Sequence, residues 1–449
     1  MGKLFGTDGV RGKANIYPIT PEVALQMGKA VASVFEASGH GSKRAVIGKD
    51  TRLSGYMLET ALTSGMVSMG MDVYLVGPMP TPAVAHLTRS MAAACGLMIT
   101  ASHNPATDNG IKIFNSDGFK LRDELEARIE DLILGGEIST KHITYDQIGK
   151  AHRIEDARGR YVEFAKSSIG SRNLNGLRIV LDCANGASYF LGPLIFRELG
   201  AEVIKVGVEP DGYNINRDCG ALYLDQLQEK VKEYRADIGI AFDGDADRVM
   251  IVDNDGTVVN GNQLIGLLAA ELKAQGQLHN DTIAVTVMSN LGLYRAMEKI
   301  GVKIVTTSVG DRHVIEAMRD QDLSFGGEDS GHLIFMDYAT TGDGIISALQ
   351  LLKILKKSGK SLKELKGLVE LFPNKLVNLE VAEKKPLEDV GAIQDVLREC
   401  EKALGDSGRH LLRYSGTENK IRVFVEAHST KDVELWTSKI ADVVKKELC

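Results

Sequence analysis

Apolar and polar positions along the chain follow a pattern that recurs three times. An apolar run of strand length leads through a polar loop into a segment of helical periodicity, then a Gly-led turn and a second apolar run ending in Val-Gly. The copies are residues 45–77 (AVIGKDTRLSGYMLETALTSGMVSMGMDVYLVG), 178–207 (RIVLDCANGASYFLGPLIFRELGAEVIKVG) and 284–310 (AVTVMSNLGLYRAMEKIGVKIVTTSVG). Each reads as β-loop-α-β, the unit that sets two parallel strands side by side with a crossover helix. Gly70, Gly200 and Gly301 take the matching place after the helix, where a left-handed residue is needed. The three copies predict three related α/β domains. The texture then changes. Residues 353–370 form a Lys-rich, helix-favouring connector, and beyond Phe372 the segments 374–381 and 420–427 read as strands beside two helical patterns, predicting a small α+β domain.

A length of 449 residues agrees with this organisation, at roughly 150 residues per domain. With 44% hydrophobic and 25% charged residues, the composition is that of an ordinary globular protein. The apolar runs at 91–95 and 264–270 are far shorter than a membrane span. The N-terminal residues show neither a secretory pattern nor a myristoylation pattern, Gly6 standing where Ser or Thr is required. The five cysteines have no C-x-x-C spacing, so a reducing cytoplasm is the expected compartment. Fifty-three basic against sixty acidic residues leave a net charge of −7 without a long basic run, so neither nucleic acid nor membrane is expected as a partner.

Chemistry concentrates in five motifs. In ADIGIAFDGDADRVMIV, an apolar strand over 238–242 runs into Asp243, Asp245 and Asp247 before a second strand over 249–252. An extended chain would aim alternate carboxylates to one side, where they suit a hard cation such as Mg²⁺. An EF-hand is excluded, because Arg248 stands at the loop position that needs Gly and Asn254 at the one that needs Glu. Arg248 adds a positive charge for a phosphate.

In CGLMITASHNPATDNGIKIF, an apolar run over 96–99 leads to Ser102, a hydroxyl that needs a base or a metal to act as nucleophile. His103 and Lys112 are the nearby groups. GTDGVRG, residues 6–12, matches no nucleotide fingerprint, but its glycines allow a close anion and Arg11 supplies a fixed charge. In SFGGEDSGHLIF, Glu328, Ser330 and His332 alternate along a strand or tight hairpin, a row that suits sugar hydroxyls. In LLRYSGTENKIRVFVEA, Arg413, Ser415, Gly416, Thr417 and Arg422 make a phosphate cradle. A nucleophilic hydroxyl, a metal site, a sugar row and a phosphate cradle without a nucleotide motif point to phosphoryl transfer in which the enzyme itself is the donor.

These five motifs, in this order and over the whole length, resemble those of the bacterial phosphoglucosamine mutases, a branch of the α-D-phosphohexomutase superfamily. TVMSNLGL at 286–293 and TSVGDRHV at 307–314 resemble that branch more than the phosphomannomutases. The resemblance implies an α/β protein of four domains around a central cleft, three topologically similar mixed α/β domains plus a C-terminal α+β domain. The expected spans are 1–155 (phosphoserine loop), 156–255 (metal loop), 256–368 (sugar loop) and 369–449 (phosphate binding).

It further implies that Ser102 is a phosphoserine and that one Mg²⁺ per chain is held by Asp243, Asp245, Asp247 and a phosphoryl oxygen on Ser102. Glucosamine 6-phosphate and glucosamine 1-phosphate would be interconverted through glucosamine 1,6-bisphosphate, with that compound or glucose 1,6-bisphosphate as activator, feeding UDP-N-acetylglucosamine and cell-wall precursor synthesis. Glu328 and Ser330 would hold the sugar, and the cradle from Arg413 to Arg422 its distal phosphate. Lys112, Arg11 and His103 would serve proton transfer and charge stabilisation. A homodimer is the expected assembly, and a phosphomannomutase/phosphoglucomutase with the same mechanism is the alternative. Asn419, Asp329, Tyr414 and His313 depart from the pattern of the branch.

Overall fold

The computed structural model describes residues 4–6, 8–37, 41–136, 138, 143–415 and 419–449. Its strands form four sheets. In the first, β1 (Val10–Lys13), β2 (Arg44–Lys49), β3 (Asp72–Pro78), β4 (Cys95–Ile99), β5 (Asp108–Asn115) and β6 (Ala151–Arg153) lie in the order β1-β5-β4-β2-β3-β6. In the second, β7 (Arg178–Asp182), β8 (Glu202–Val206), β9 (Ile238–Phe242), β10 (Val249–Asp253) and β11 (Val258–Val259) lie in the order β11-β10-β9-β7-β8. The third holds β12 (Thr282–Thr286), β13 (Lys303–Thr307), β14 (Phe325–Gly327) and β15 (Leu333–Phe335) in the order β13-β12-β14-β15.

The three repeats therefore pair as the hydrophobic pattern predicts. β2 with β3, β7 with β8 and β12 with β13 are parallel neighbours. Gly70, Gly200 and Gly301 all have positive φ, at 82°, 95° and 69°. The likeness extends beyond the repeat. In every sheet the first repeat strand takes a second parallel partner (β4, β9 or β14), and that strand turns back into an antiparallel neighbour (β5, β10 or β15). The serine, aspartate and Glu328 motifs occupy these three connections, so they are topologically equivalent loops. β4, β9 and β12 are buried along their whole length, as inner strands covered on both faces require.

The chain divides into two compact units: residues 1–288 with 301–366, and residues 289–300 with 367–449. The helix of the third repeat, Leu291–Lys299, belongs to the second unit. There the side chain of Asn290, its N-cap, donates to the Phe372 carbonyl and accepts from the Phe372 amide, both at 2.9 Å. The second unit also carries a three-stranded antiparallel sheet, β16 (Asn374–Glu380), β17 (Gly408–Tyr414) and β18 (Lys420–Ala427), in the order β16-β18-β17. Two helices, Gly391–Leu404 and Thr430–Leu448, pack their apolar stripes against this sheet.

Two expectations change. β17 is absent from the sequence reading, because GRHLLRY is too polar to register as a strand. The Lys-rich connector proves to be the end of the helix Gly344–Ser358, whose first half is core, followed by the short helix Leu362–Lys366. No helix among the described residues is long and apolar enough to cross a membrane.

Candidate active site

Ser102 follows β4 with φ at +50°, a left-handed conformation that costs a β-carbon-bearing residue about 1–3 kcal/mol and needs support from its surroundings. The support is buried. Arg52, fully inaccessible, donates to the Ser102 carbonyl at 3.2 Å and to the Asn104 carbonyl, and is itself paired with Asp50. Asn216 donates to the same two carbonyls at 2.9 and 3.0 Å, and the Ser102 amide donates to Thr100 Oγ1 at 2.9 Å. The serine hydroxyl is thereby aimed at the second sheet, where it donates to Asp243 Oδ2 at 2.6 Å.

Asp243, Asp245 and Asp247 are buried and bring carboxylate oxygens within 4.8 Å of one another. They converge for a different reason than extended alternation. Residues 243–248 form a turn with Ala246 at φ +57°, which folds the three side chains inward. Gly244 lets this turn touch the serine loop, since a β-carbon there would stand 2.5 Å from the Ser102 carbonyl oxygen. Thr81 fixes the turn from the first sheet, donating through Oγ1 to Asp245 Oδ2 at 2.6 Å and through its amide to the Asp245 carbonyl at 2.9 Å. The donor set fits a hard cation. The oxygens are all carboxylate, and among the described residues Asp245 Oδ1 accepts no hydrogen bond and Asp247 Oδ1 meets only the more distant His332 and Arg248.

Lys112, on β5 and 2% exposed, donates to Asp245 Oδ2 at 2.9 Å and to Asp247 Oδ2 at 3.0 Å, and lies 3.3 Å from Asp8. Burial opposes its charge, but Asp245, Asp247 and Asp8 outweigh that and hold the ammonium well above its ordinary pKa. Burial, then Asp247 and Asp245, push the Asp243 carboxyl well above the usual carboxylate range. For Asp247 burial is overcome by Lys112 and His332, which hold it well below that range. His103 Nδ1 lies 3.3 Å from Ser102 Oγ, and burial with the charges of Arg248 and Arg11 brings its pKa down to about 4, so the ring is neutral at pH 7. Arg11, on β1, is paired with Asp8. The Arg248 amide donates to Asp243 Oδ1 at 3.2 Å.

The expected row of Glu328, Ser330 and His332 is only partly realised. The hairpin β14–β15 forms, and Glu328 and Ser330 sit half-buried in its turn, Glu328 Oε1 accepting from the Gly310 amide at 3.1 Å. His332 does not join them. It is 2% exposed, with Nδ1 3.7 Å from Asp247 Oδ1, Nε2 3.5 Å from Asp311 Oδ2, and the Gly342 amide donating to Nε2 at 3.1 Å. A tight turn, unlike a continuous strand, sends its last residue to the other side.

In the second unit Arg413 and Arg422 are cross-strand partners on β17 and β18. Burial, then Arg422, lower the Arg413 guanidinium from its ordinary pKa, and among the described residues neither arginine has a carboxylate partner. Ser415 is buried, with its amide donating to the Lys420 carbonyl at 2.8 Å. Gly416 and Thr417 lie outside the described residues. Of the departing positions, Tyr414 donates to the Lys385 carbonyl at 2.7 Å, and the Asn419 carbonyl accepts from Val381 at 3.0 Å. Burial, then Glu328, raise the Asp329 carboxyl, and His313 lines a cavity of about 420 Å³ beside Gly310 and Arg312.

Sequence reasoning did not single out Asp8, Asp50, Arg52, Thr81, Lys120, Asn216 or Asp311. Their polar types mark loops, and nothing local signals that those loops are buried.

A serine and three acids in equivalent loops between a parallel strand and its antiparallel neighbour, with the Glu328 turn in the third, define a phosphohexomutase scaffold. The chain belongs to the phosphoglucomutase/phosphomannomutase family, whose alpha/beta/alpha domains I, II and III match residues 2–138, 159–256 and 260–372 and whose C-terminal domain matches 376–443. It is accordingly a mutase, an enzyme of the isomerase class. It is 52% identical to the phosphoglucosamine mutase of Pelobacter propionicus, over 100% of this chain and 99% of that one.

Among solved structures, a phosphoglucomutase/phosphomannomutase family protein from Burkholderia thailandensis superposes with a TM-score of 0.83 at 25% identity, covering 99% of this chain and 97% of that one. The Aspergillus fumigatus N-acetylphosphoglucosamine mutase, solved with GlcNAc-6P and magnesium, shares the fold at a TM-score of 0.67 and 19% identity, covering 99% and 96%.

Proposed function

We propose that this site interconverts glucosamine 6-phosphate and glucosamine 1-phosphate, with Ser102 as the phosphoryl carrier. The observation that carries this reading is the 2.6 Å contact of the Ser102 hydroxyl with a buried triad of acids. The full-length relative named for this activity supports the amino sugar. Phosphoserine 102 gives its phosphoryl group to the free hydroxyl of the substrate. The bond from phosphorus to Ser102 Oγ breaks, a bond to the sugar oxygen forms, and the hydroxyl proton passes by way of His103, which is neutral and 3.3 Å from Ser102 Oγ, to the departing serine oxygen. The resulting 1,6-bisphosphate reorients, and its other phosphate returns to Ser102 by the reverse step.

Lys112 keeps its proton and, with Arg11 and Arg248, offsets charge at the transferring group. Asp243, Asp245 and Asp247 would hold one Mg²⁺ per chain, which when bound stabilises negative charge on the phosphoryl oxygens. Glu328 and Ser330 hold the sugar hydroxyls. Arg413 and Arg422, like charges facing each other, are matched to the distal phosphate. The working setting of the enzyme is a cytoplasmic homodimer, which sedimentation would check.

The test is kcat/KM for glucosamine 1-phosphate against glucose and mannose 1-phosphates, primed with glucose 1,6-bisphosphate. The reading predicts a preference for the amino sugar of at least roughly ten-fold. A preference for a neutral sugar would make the chain a phosphomannomutase/phosphoglucomutase, and release of inorganic phosphate without an isomer would make it a phosphatase.

A further inference from the structure

Lys120 and Asp311 touch no group assigned to the reaction so far, apart from the edge of His332, yet they close a ring of ionisable side chains around the site. Asp8 faces Lys112 at 3.3 Å, Lys112 bonds Asp247 at 3.0 Å, Asp247 faces His332 at 3.7 Å and His332 faces Asp311 at 3.5 Å. Asp311 is paired with Lys120, and Lys120 returns to Asp8. Acidic and basic groups alternate around all six positions. Their side chains are from 2% to 24% exposed, so each carboxylate depends on its flanking cations rather than on water.

The members lie on or beside three sheets: Lys112 on β5, with Asp8 just before β1 and Lys120 just after β5, Asp247 in the turn between β9 and β10, Asp311 at the head of the helix after β13, and His332 just before β15. Lys120 follows β5 and Asp311 opens the helix after β13, so their pair ties the serine-bearing sheet to the Glu328-bearing sheet, alongside the pairing of Arg312 with Glu126 at 2.8 Å and the bond from Thr340 Oγ1 to the Gly118 carbonyl at 2.6 Å. Burial would raise the Asp311 carboxyl, but Lys120 and then His332 outweigh it and hold it below its ordinary pKa.

We propose that Lys120 and Asp311, acting through Asp8 and His332, are positioning residues that hold the Lys112 ammonium, the Asp247 carboxylate and the Glu328 turn in one fixed arrangement for phosphoryl transfer. The inference rests on the phosphotransfer reading of the same site. Removing one charge from the pair leaves the other buried with one partner in place of two, Asp8 for Lys120 or His332 for Asp311, and the loops it ties can shift by a fraction of an ångström. Such a shift is felt in the transfer step and hardly in the first encounter with substrate.

The experiment is a double-mutant cycle of Lys120→Met and Asp311→Asn on the full chain, with Asp311→Glu as the conservative variant. Steady-state kinetics are combined with amide hydrogen exchange over residues 243–248 and 328–332. Each single neutralisation should lower kcat by about ten-fold with KM within about three-fold of wild type. The double variant should lose no more than the worse single, Asp311→Glu should retain most of the activity, and exchange should rise in both segments. Singles that multiply, a kcat that stays within two-fold, or unchanged exchange in both segments would each overturn the proposal. If Asp311→Asn does not fold, Lys120→Met and Asp311→Glu still decide by the same kcat and exchange criteria. A wild-type enzyme without mutase activity would defeat the phosphotransfer reading instead, while the exchange data would still report on the tie between the sheets.

Discussion

The approach of the metal turn to the serine loop depends on one missing methyl group. In Gly244→Ala, the added β-carbon would lie 2.5 Å from the Ser102 carbonyl oxygen, 2.8 Å from Asn216 Nδ2 and 2.9 Å from Ile215 Cδ1. Ordinary contact begins at 3.4 Å, so about 0.9 Å of separation must be found. The serine loop cannot yield easily, because Arg52 and Asn216 both grip the same carbonyl. The turn must retreat, and it carries Asp243 away from the Ser102 hydroxyl that it now meets at 2.6 Å. A displacement near 1 Å in a phosphoryl-transfer site costs about a hundred-fold in rate, or about 2.7 kcal/mol of transition-state stabilisation.

The assay is kcat from a coupled glucosamine 1-phosphate reaction, alongside the fraction of Ser102 that carries phosphate. Gly159→Ala is the control. Gly159 is exposed, sits in the helix Ala157–Ser167 and has open space around it, so alanine there should leave kcat unchanged and stabilise by up to about 1 kcal/mol. A Gly244→Ala enzyme within three-fold of wild type would show that the two loops do not need their observed separation for turnover.

Arg52→Met removes one partner of a fully buried pair and should cost about 3–5 kcal/mol of stability in urea unfolding while lowering kcat at least as much as Gly244→Ala. Little change in either would mean that the Ser102 conformation is held by other contacts. Chelation by EDTA should abolish turnover and added Mg²⁺ restore it, whereas Asp245→Asn should respond weakly to the metal at any concentration tried. His86 stacks on Phe164, and burial with Arg89 brings its pKa down to about 4 from 6.5. Between those values the unfolded chain binds a proton that the folded chain does not, so stability falls as pH drops through this window. Thermal melts of His86→Gln should therefore lose less stability than wild type between pH 7 and pH 4, and parallel losses would show that this histidine is not responsible.

Much of this architecture is readable from hydrophobic period, because β2, β7 and β12 and their repeat partners β3, β8 and β13 each carry a short apolar run and the turn glycines mark their helices' ends. The motif residues are legible for a related reason. Carboxylates, hydroxyls and glycines crowded at a strand end have no packing role that would explain them. What is not legible is support. Arg52 and Asn216 lie fifty and more residues from Ser102 in sequence, and their types are unremarkable for loops. Their roles follow only once distant loops meet: Arg52 reaches Ser102 within the first sheet's domain, and Asn216 reaches it from the second. His332 shows the converse error. Its alternation with Ser330 is real in sequence, but the turn at Gly331, with φ at +87°, sends the imidazole toward Asp247 and Asp311. β17 is hidden because its arginines and histidine suppress the apolar signal, although its end carries Arg413, a residue the phosphate-cradle reading needs.

Intact mass with peptide mapping, after incubation with glucose 1,6-bisphosphate and Mg²⁺, bears most directly on whether Ser102 is the carrier. Wild type should carry a single phosphate, located at Ser102 and discharged by glucosamine 1-phosphate, and Ser102→Ala should carry none. Phosphate stably bound at another residue, or a fully active Ser102→Ala enzyme, would contradict it.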